Sequence, residues 1–348
     1  MNGAARVLKG TTTVLAVALF VAVSGCTKKP DVASSRTLAI KTETDPAALA
    51  QLRNAAEQGN AVAQTNLGVL YATGKGVPQD YSKAAEWYRN SADQGYAGGQ
   101  SNLGGAYLLG EGVPQDYTEA RKWFRKAADQ GDVNGENNLG TIYYRAEGVP
   151  QDYSEALKWF SKGASQNDAA SQDNLGGMYY DGHAVPQDYS KAAELYRKAA
   201  DQGYVHAQNR LGLMYEDGQG VPQDYTEARK WIGKAADQGY AVSQHNLGNM
   251  YYLGLGVQKD YPKAVEWFKK AAEQGDADSQ LTLGGLYANG IGLPQDSVAA
   301  AKWLILAKAG GGEGATESLS EIEKQMSPAQ IGEAQHLAKE WWAQHQQR

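Results

Sequence analysis

Apolar residues along most of the chain recur with the spacing of an α-helix, and this pattern itself repeats. In the first unit Ala63, Leu67 and Tyr71 each lie four residues apart, so they form one apolar stripe on a helix. A glycine-rich turn follows, and Ala84 and Trp87 then lie three residues apart on the face of a second helix. Each unit is therefore predicted to be a pair of helices joined by a short turn.

A Leu-Gly pair marks a period of 36 residues through seven copies without a slip. A tyrosine lies four residues after each of these leucines. Six of the seven second helices carry a tryptophan at the same repeat position, and the fourth carries Leu195 there. Self-similarity of this length, with helical spacing on both sides of a turn, predicts an all-α solenoid of seven 36-residue helix-turn-helix repeats over 60–311. The leucines are Leu67, Leu103, Leu139, Leu175, Leu211, Leu247 and Leu283.

Glycines and aspartates recur at positions where the helices need them. The glycine of each Leu-Gly pair lies inside a predicted helix, where glycine costs about 1 kcal/mol relative to alanine, so we expect the partner helix to approach closely there. Asp80 and its six counterparts begin the second helices and are expected to act as N-caps. Ala146, Ala184 and Asn167 replace glycines, and we expect them to affect local geometry and not the fold.

The segments on either side of the repeats have amphipathic patterns typical of capping helices, which protect the ends of a solenoid. Leu52 and Ala56 belong to a predicted N-terminal capping helix over 47–59. The C-terminal segment 312–348 is predicted to form further capping helices, the second of which begins at a capping box made by Ser327 and Gln330.

The first 25 residues have the pattern of a secretory signal peptide. Their apolar run from 14 to 23 is about half the roughly 20 residues that are needed to cross a hydrocarbon core, so a permanent transmembrane helix is the weaker interpretation. Residues 26–46 are polar and aperiodic and are predicted to form a flexible tether.

The segment Val23-Ser24-Gly25-Cys26 resembles a bacterial lipobox. This resemblance implies that Cys26, the only cysteine of the chain, is lipidated and becomes the N-terminus after cleavage. Ordinary signal cleavage near the Ser-Gly pair is the alternative. Thr27 rather than Asp follows the cysteine, and by resemblance to enterobacterial sorting this favours the outer membrane, facing the periplasm, within a bacterial cell envelope.

The repeat resembles the Sel-one-like repeat family, an α-solenoid relative of the tetratricopeptide repeats, over essentially the whole mature chain. The motifs that carry the resemblance are Leu-Gly-x-x-Tyr in the first helix and the turn Gly-x-Gly-Val-Pro-Gln-Asp-Tyr, with Gln258 and Ser297 among the departures. The resemblance implies a right-handed solenoid whose first helices line a concave face.

Charge and motifs limit the chemistry. Lys and Arg number 33 against 39 Asp and Glu, which gives a net charge of -6 with no basic run, so nucleic acid is not an expected partner. The sequence contains no nucleophile elbow, Walker loop, HExxH helix or paired-cysteine motif. His183, His206 and His245 occupy different repeat positions and are interpreted as solvated rather than as metal ligands. We therefore predict no catalytic residues, no metal and no cofactor.

Recognition of a protein or peptide is the favoured function. By resemblance to tetratricopeptide grooves, the positions two before, one before, two after and five after each leucine of Leu-Gly should face the concave side, and the candidates are taken from the positions one before and five after. Asn can both donate to and accept from a peptide backbone, and Tyr offers a rigid ring with a polar tip. Bonding of Asn to a neighbouring repeat and packing of Tyr between helices are open alternatives. The candidate residues are Asn66, Asn102, Asn138, Tyr144, Asn174, Tyr180, Glu216, Asn246 and Tyr252.

The sequence thus favours a non-catalytic, membrane-anchored scaffold that binds a protein or peptide. Two other classes stay open. One is a cell-wall glycan-binding module or cell-wall enzyme, since aromatic side chains could stack on sugars. The other is structural self-association through one end of the solenoid, because the adjacent Trp341 and Trp342 cannot readily face the same core stripe.

Overall fold

The computed structural model describes residues 46–345, and this part of the chain contains 17 α-helices and no strand. Cys26, the predicted signal peptide and nearly all of the predicted tether lie outside the described residues. Between 46 and 345, none of the helices combines the length and the apolar character that crossing a membrane requires.

Seven tandem helix pairs form the body of the protein, as the period predicts. Helix α1 (Pro46–Glu57) precedes them, and α16 (Ala315–Glu323) and α17 (Pro328–His345) follow them. The pairs are α2 (Ala61–Thr73) with α3 (Tyr81–Asp93), α4 (Ala97–Leu109) with α5 (Tyr117–Asp129), α6 (Val133–Arg145) with α7 (Tyr153–Ser165), α8 (Ala169–Asp181) with α9 (Tyr189–Asp201), α10 (Val205–Asp217) with α11 (Tyr225–Asp237), α12 (Ala241–Leu253) with α13 (Tyr261–Ala272), and α14 (Ala277–Asn289) with α15 (Ser297–Ala309).

The described residues divide into two compact units, an N-terminal unit up to residue 199 and a C-terminal unit from residue 200. Within each unit, a first helix packs against the second helix of its own pair, and that second helix packs against the first helix of the next pair. At the ends, α1 packs on α2, while α16 and α17 both pack on α15. The core of each unit is therefore a series of local clusters between neighbouring helices.

The glycines of the Leu-Gly pairs are sites of close helix approach, which confirms their predicted packing role. A Cβ atom added at Gly140 would lie 2.7 Å from the ring of Phe160, and one added at Gly284 would lie 2.6 Å from the Cγ of Leu304. Side-chain carbons on non-bonded residues rarely come this close. Every glycine of this column meets a side chain of its own second helix in the same way, namely Gly68, Gly104, Gly140, Gly176, Gly212, Gly248 and Gly284.

The helix ends follow the sequence prediction closely. The Asp80 carboxylate accepts a hydrogen bond from the backbone N–H of Lys83, and the other six aspartates of this column cap their helices in the same way. Ala146, Ala184 and Asn167 adopt positive φ values of 61°, 58° and 65°. The expected change in local geometry is thus absent from these three positions: the surrounding turn holds each residue in the conformation that glycine has elsewhere, although a left-handed alanine costs roughly 1–2 kcal/mol.

A ladder of glutamine hydrogen bonds, which the sequence reasoning missed, joins the two helices of a repeat to each other and to the helix that precedes the repeat. The Gln94 side chain donates to the Oε1 of Gln64 at 2.7 Å, and buried Gln64 in turn donates to the carbonyl oxygen of Ala56 at 3.1 Å. In the third repeat the buried Glu136 takes the acceptor place and receives Gln166 at 2.8 Å. Equivalent bonds join Gln130 to Gln100, Gln238 to Gln208, and Gln274 to Gln244. Since buried amides need partners, the bond from Gln64 to Ala56 and the equivalent bonds from Gln208 and Gln244 fix the register of each repeat on the helix before it.

Candidate partner-binding surface

The candidate residues lie on the first helices, at the positions one before and five after each leucine of Leu-Gly; we call these positions the first-helix surface. The N-terminal unit carries those up to Tyr180, and the C-terminal unit carries Glu216, Asn246 and Tyr252. Asn66 is buried, whereas the other eight candidates are half-buried. Half-buried side chains are held in place by packing and still present part of their surface to a ligand.

Two of the asparagines bond to the preceding repeat. The Asn174 side chain donates to the Oδ1 of Asn137 at 2.8 Å, and Asn246 donates to the Oδ1 of Asn209 at 3.2 Å. For these two, the inter-repeat role that the sequence left open is present in the structure. A direct role of the asparagines in partner binding stays a prediction.

Each of the three tyrosines of the surface packs at a steep angle against the tyrosine that begins the second helix of the same repeat. Tyr180 and Tyr189 have ring centroids 5.0 Å apart, and Tyr252 and Tyr261 are 5.1 Å apart. The backbone of this position is also tied down, because the turn glutamine Gln187 donates to the carbonyl oxygen of Tyr180 at 2.9 Å. These partner tyrosines were missed by the sequence reasoning, although their recurrence in the Gln-Asp-Tyr turn is a visible signal.

Tyr144 belongs to a larger aromatic cluster in the N-terminal unit. Its ring centroid lies 5.3 Å from that of Tyr153, and its hydroxyl lies 3.3 Å from the Nδ1 of His183. The rings of His183 and Tyr153 stack at 4.1 Å with nearly parallel planes. The turn of the fourth repeat therefore packs on the third repeat through this histidine.

The prediction that the three histidines are solvated is wrong, because each is at least half-buried. His183 stacks on Tyr153, and His206 lies edge-on to Tyr204 and Tyr240. These rings are used for packing. Within the described residues no group of three or more His, Cys, Asp or Glu side chains could hold a metal ion.

His245 has serine and aspartate neighbours, but their arrangement is not that of a catalytic triad. Its Nδ1 lies 2.8 Å from the Oγ of Ser279 and 3.7 Å from the Oδ1 of Asp276. A triad needs the carboxylate and the hydroxyl on opposite ring nitrogens, whereas here both face Nδ1. Burial is also the main reason that the pKa of His245 is lowered. The trio serves as a buried connection between the last two repeats.

Glu216 occupies the tyrosine position in the fifth repeat and has a strongly shifted pKa. Burial of the half-buried carboxyl, followed by the charge of Asp217, raises its pKa to about 7. Around neutral pH this position therefore holds a mixture of carboxylic acid and carboxylate, so it can either donate or accept a hydrogen bond.

Comparisons with known proteins agree with this geometry. The Sel1 repeat family matches seven times in succession, at residues 61–96, 97–132, 133–168, 169–204, 205–240, 241–276 and 277–312. No curated protein sequence matches the chain.

Several solved structures are similar. The crystal structure of a Sel1 repeat protein from Oxalobacter formigenes has 35% identity and a TM-score of 0.63, covering 84% of this chain and 87% of that chain. The protein c5321, a protective antigen present in uropathogenic Escherichia coli strains with an SLR fold, has 30% identity and a TM-score of 0.42, covering 90% of this chain and 84% of that chain. The immunity protein Pa5087 from Pseudomonas aeruginosa has 21% identity and a TM-score of 0.43, covering 62% and 83%. The chain therefore belongs to the Sel1 repeat family, whose solenoid fold is typical of protein–protein interaction scaffolds.

Proposed function

We propose that this protein is a non-catalytic scaffold or adaptor in the bacterial cell envelope, which binds a protein or peptide through its first-helix surface. The family supports the scaffold role, since its fold is typical of protein–protein interaction. The lipobox-like sequence before Cys26 supports the envelope location, with a lipid anchor in the outer membrane that faces the periplasm.

The observation that carries the proposal is the contrast between two neighbouring columns of the first helices. Four residues after each leucine the side chain is always tyrosine. Tyr251 is buried and the other six are half-buried, and the Tyr107 hydroxyl accepts a hydrogen bond from Arg89 of the preceding repeat. Five residues after the leucine the side chain varies among Ala, Leu, Tyr and Glu although the position is always half-buried. Several of these side chains touch the core clusters, but packing does not require one residue type in that column, so the exposed part of each side chain can carry specificity.

Paired substitutions in these two columns test the proposal. The double variant Tyr180→Ala with Tyr252→Ala should weaken capture of the partner from native envelopes by about tenfold or more, as expected when aromatic contacts at an interface are truncated. Its melting temperature should change little. The matched control, Tyr179→Ala with Tyr251→Ala, should first lower the melting temperature, because Tyr251 is buried and truncating a buried aromatic side chain typically costs 3–5 kcal/mol.

Two results would count against the first-helix surface. One is an identified partner that binds the well-folded Tyr180→Ala, Tyr252→Ala variant as tightly as the wild type. The other is an equal loss of stability from both pairs, which would mean that the variable column is also part of the packing.

The lipid anchor has its own test. Mass spectrometry of the N-terminus of protein extracted from envelopes should find Cys26 as the first residue with acyl chains attached. Several chains are needed for firm attachment, since each buried methylene adds only about 0.8 kcal/mol. Cys26→Ser should release the protein or leave it unprocessed. An unmodified Cys26 or a mature start elsewhere would refute the anchor.

The two alternative classes predict different outcomes. Incubation with peptidoglycan should give neither turnover nor binding if the scaffold proposal is right, and either result would favour a glycan-binding module or enzyme. Self-association is supported by Trp342, which is 43% exposed on α17. A monomer in sedimentation at high micromolar concentration would remove that class.

A further inference from the structure

The first helices of the C-terminal unit differ in charge from the second helices on which they pack. Helices α10, α12 and α14 together carry three carboxylates, one arginine and no lysine. Helices α11, α13 and α15 together carry eight Lys and Arg residues against three carboxylates. The first-helix surface of this unit therefore lies on its acidic helices, and charge complementarity favours a partner that presents positive groups to it.

Glu216 is the carboxylate of these helices that lies on the first-helix surface, and it has no cationic partner. It is half-buried, and between residues 46 and 345 no Lys or Arg forms an ion pair with it. Arg210, the arginine of the same helix, lies six residues earlier, about 9 Å along the helix axis. Burial and then the charge of Asp217 raise the pKa of Glu216. A partly buried carboxylate without a cation lacks compensation for the water that it has lost.

Tyrosines accompany Glu216 in the fifth and sixth repeats. The Gln223 side chain donates to the backbone carbonyl oxygen of Glu216 at 2.8 Å and to the Tyr225 hydroxyl at 3.0 Å, so one turn residue ties the carboxyl position to a ring. One repeat later the same column holds Tyr252. Tyrosine rings attract cations, and the long stems of lysine and arginine pack well on apolar surface. A cationic side chain therefore suits this part of the surface better than a small polar one.

We propose that Glu216 binds a lysine or arginine side chain of a peptide partner, whose apolar neighbours lie against Tyr252. This inference rests on the proposed function, because it identifies the chemistry of the partner that the first-helix surface binds. The carboxylate accepts hydrogen bonds from the ammonium or guanidinium group, and such charge-assisted bonds are the strong class. A partner with an acidic group at this place would bring two like charges together, which opposes binding.

A double-mutant cycle between the protein and a peptide tests this contact. Peptides that bind the full-length chain are selected from a random displayed library, and those that Tyr252→Ala weakens at least tenfold are kept as probes. We expect these probes to share a lysine or arginine. Replacement of that residue by norleucine should weaken binding to the unaltered protein by about tenfold or more, as measured for close charge pairs across interfaces. In Glu216→Gln the same replacement should change the affinity less than about threefold, because the charge that it meets is gone.

Asp237→Asn is the matched control, since it removes the same charge from an exposed residue at the end of α11. It should leave the preference for the cationic peptide unchanged. The two peptides are compared within each variant, so a loss of stability that weakens both equally does not imitate the expected result.

The outcomes separate this inference from the proposed function. Probes that depend on Tyr252 but share no cation overturn the inference alone, and so does an equal effect of norleucine in the unaltered protein and in Glu216→Gln. The first-helix surface stands in both cases. If the library yields no peptide that depends on Tyr252, the first-helix surface itself is refuted in this unit, and the inference falls with it.

Discussion

Two adjacent glycines in helix α14 allow the free-energy cost of helix crowding to be separated from the effect of helix propensity. A Cβ atom at Gly284 would lie 2.6 Å from the Cγ of Leu304 and 3.3 Å from the carbonyl oxygen of Ala300. A Cβ atom at Gly285 would meet no atom of the described chain within 4 Å. Since Leu304 is buried and Ala300 contributes backbone, neither can give way freely at Gly284.

The two alanine substitutions should therefore change stability in opposite directions. Both gain helix propensity, which is about 1 kcal/mol for glycine to alanine. Only Gly284→Ala adds overpacking, which typically costs 1–3 kcal/mol. Gly285→Ala should raise the free energy of unfolding by about 1 kcal/mol, and Gly284→Ala should lower it by up to about 2 kcal/mol. The gap between them, about 1–3 kcal/mol, is the crowding cost.

Denaturant unfolding of both variants measures this gap, and a double-mutant cycle identifies its source. In a Leu304→Ala background the two closest contacts at Gly284 disappear and only the Ala300 carbonyl oxygen at 3.3 Å remains, so Gly284→Ala should then cost much less stability than it does in the unaltered protein. If Gly284→Ala and Gly285→Ala change stability equally in the unaltered protein, the close approach is not the reason for glycine at position 284.

Two further predictions concern single side chains. Gly176→Val should lower the melting temperature more than Gly182→Val. A Cβ atom at position 176 would lie 2.8 Å from the buried ring of Tyr196, whereas Gly182 lies in a turn where the equivalent residue two helices earlier is Ala146. Equal or inverted losses of melting temperature would contradict this prediction. His245 has a lowered pKa in the folded state, so the unfolded chain binds the proton more readily, and stability should fall as the pH drops through about 6.5. His245→Asn should lose this component, so parallel stability curves between pH 8 and 5.5 would contradict it.

The periodic part of the structure could be predicted from the sequence because each repeat must form the same two helices and the same helix contacts, so its key residues recur. Every copy has a glycine at the position of Gly140 and an aspartate at the position of Asp80. A glycine inside a helix or an aspartate at the start of a helix has few physical explanations. The glutamine ladder was visible as a recurrence too, but its meaning was not. Gln64 looks like a surface residue in a list of amino acids, and only the packing of consecutive repeats shows that it is buried.

Features that occur once could not be predicted in this way. His183 stacks on Tyr153 of the preceding repeat, and no other copy has a histidine at that turn position. The position of Trp341 depends on how α17 packs against α15, and α17 has no counterpart in the repeats. A non-repeating helix has no second copy against which its packing can be checked, so sequence alone indicates only that it is amphipathic.

The same comparison between copies shows where packing leaves freedom within the first helices. Tyr251 and Tyr252 are neighbours on α12, and their directions differ by about 100° around the helix axis. Tyr251 belongs to the invariant column, whereas the column of Tyr252 contains the carboxyl of Glu216 one repeat earlier. A position that accepts both a phenol and a carboxyl with a pKa of about 7 does not require one particular side chain, although Tyr252 itself packs on Tyr261. This variation is the reason for proposing that the column carries specificity, whereas the invariant tyrosine column does not.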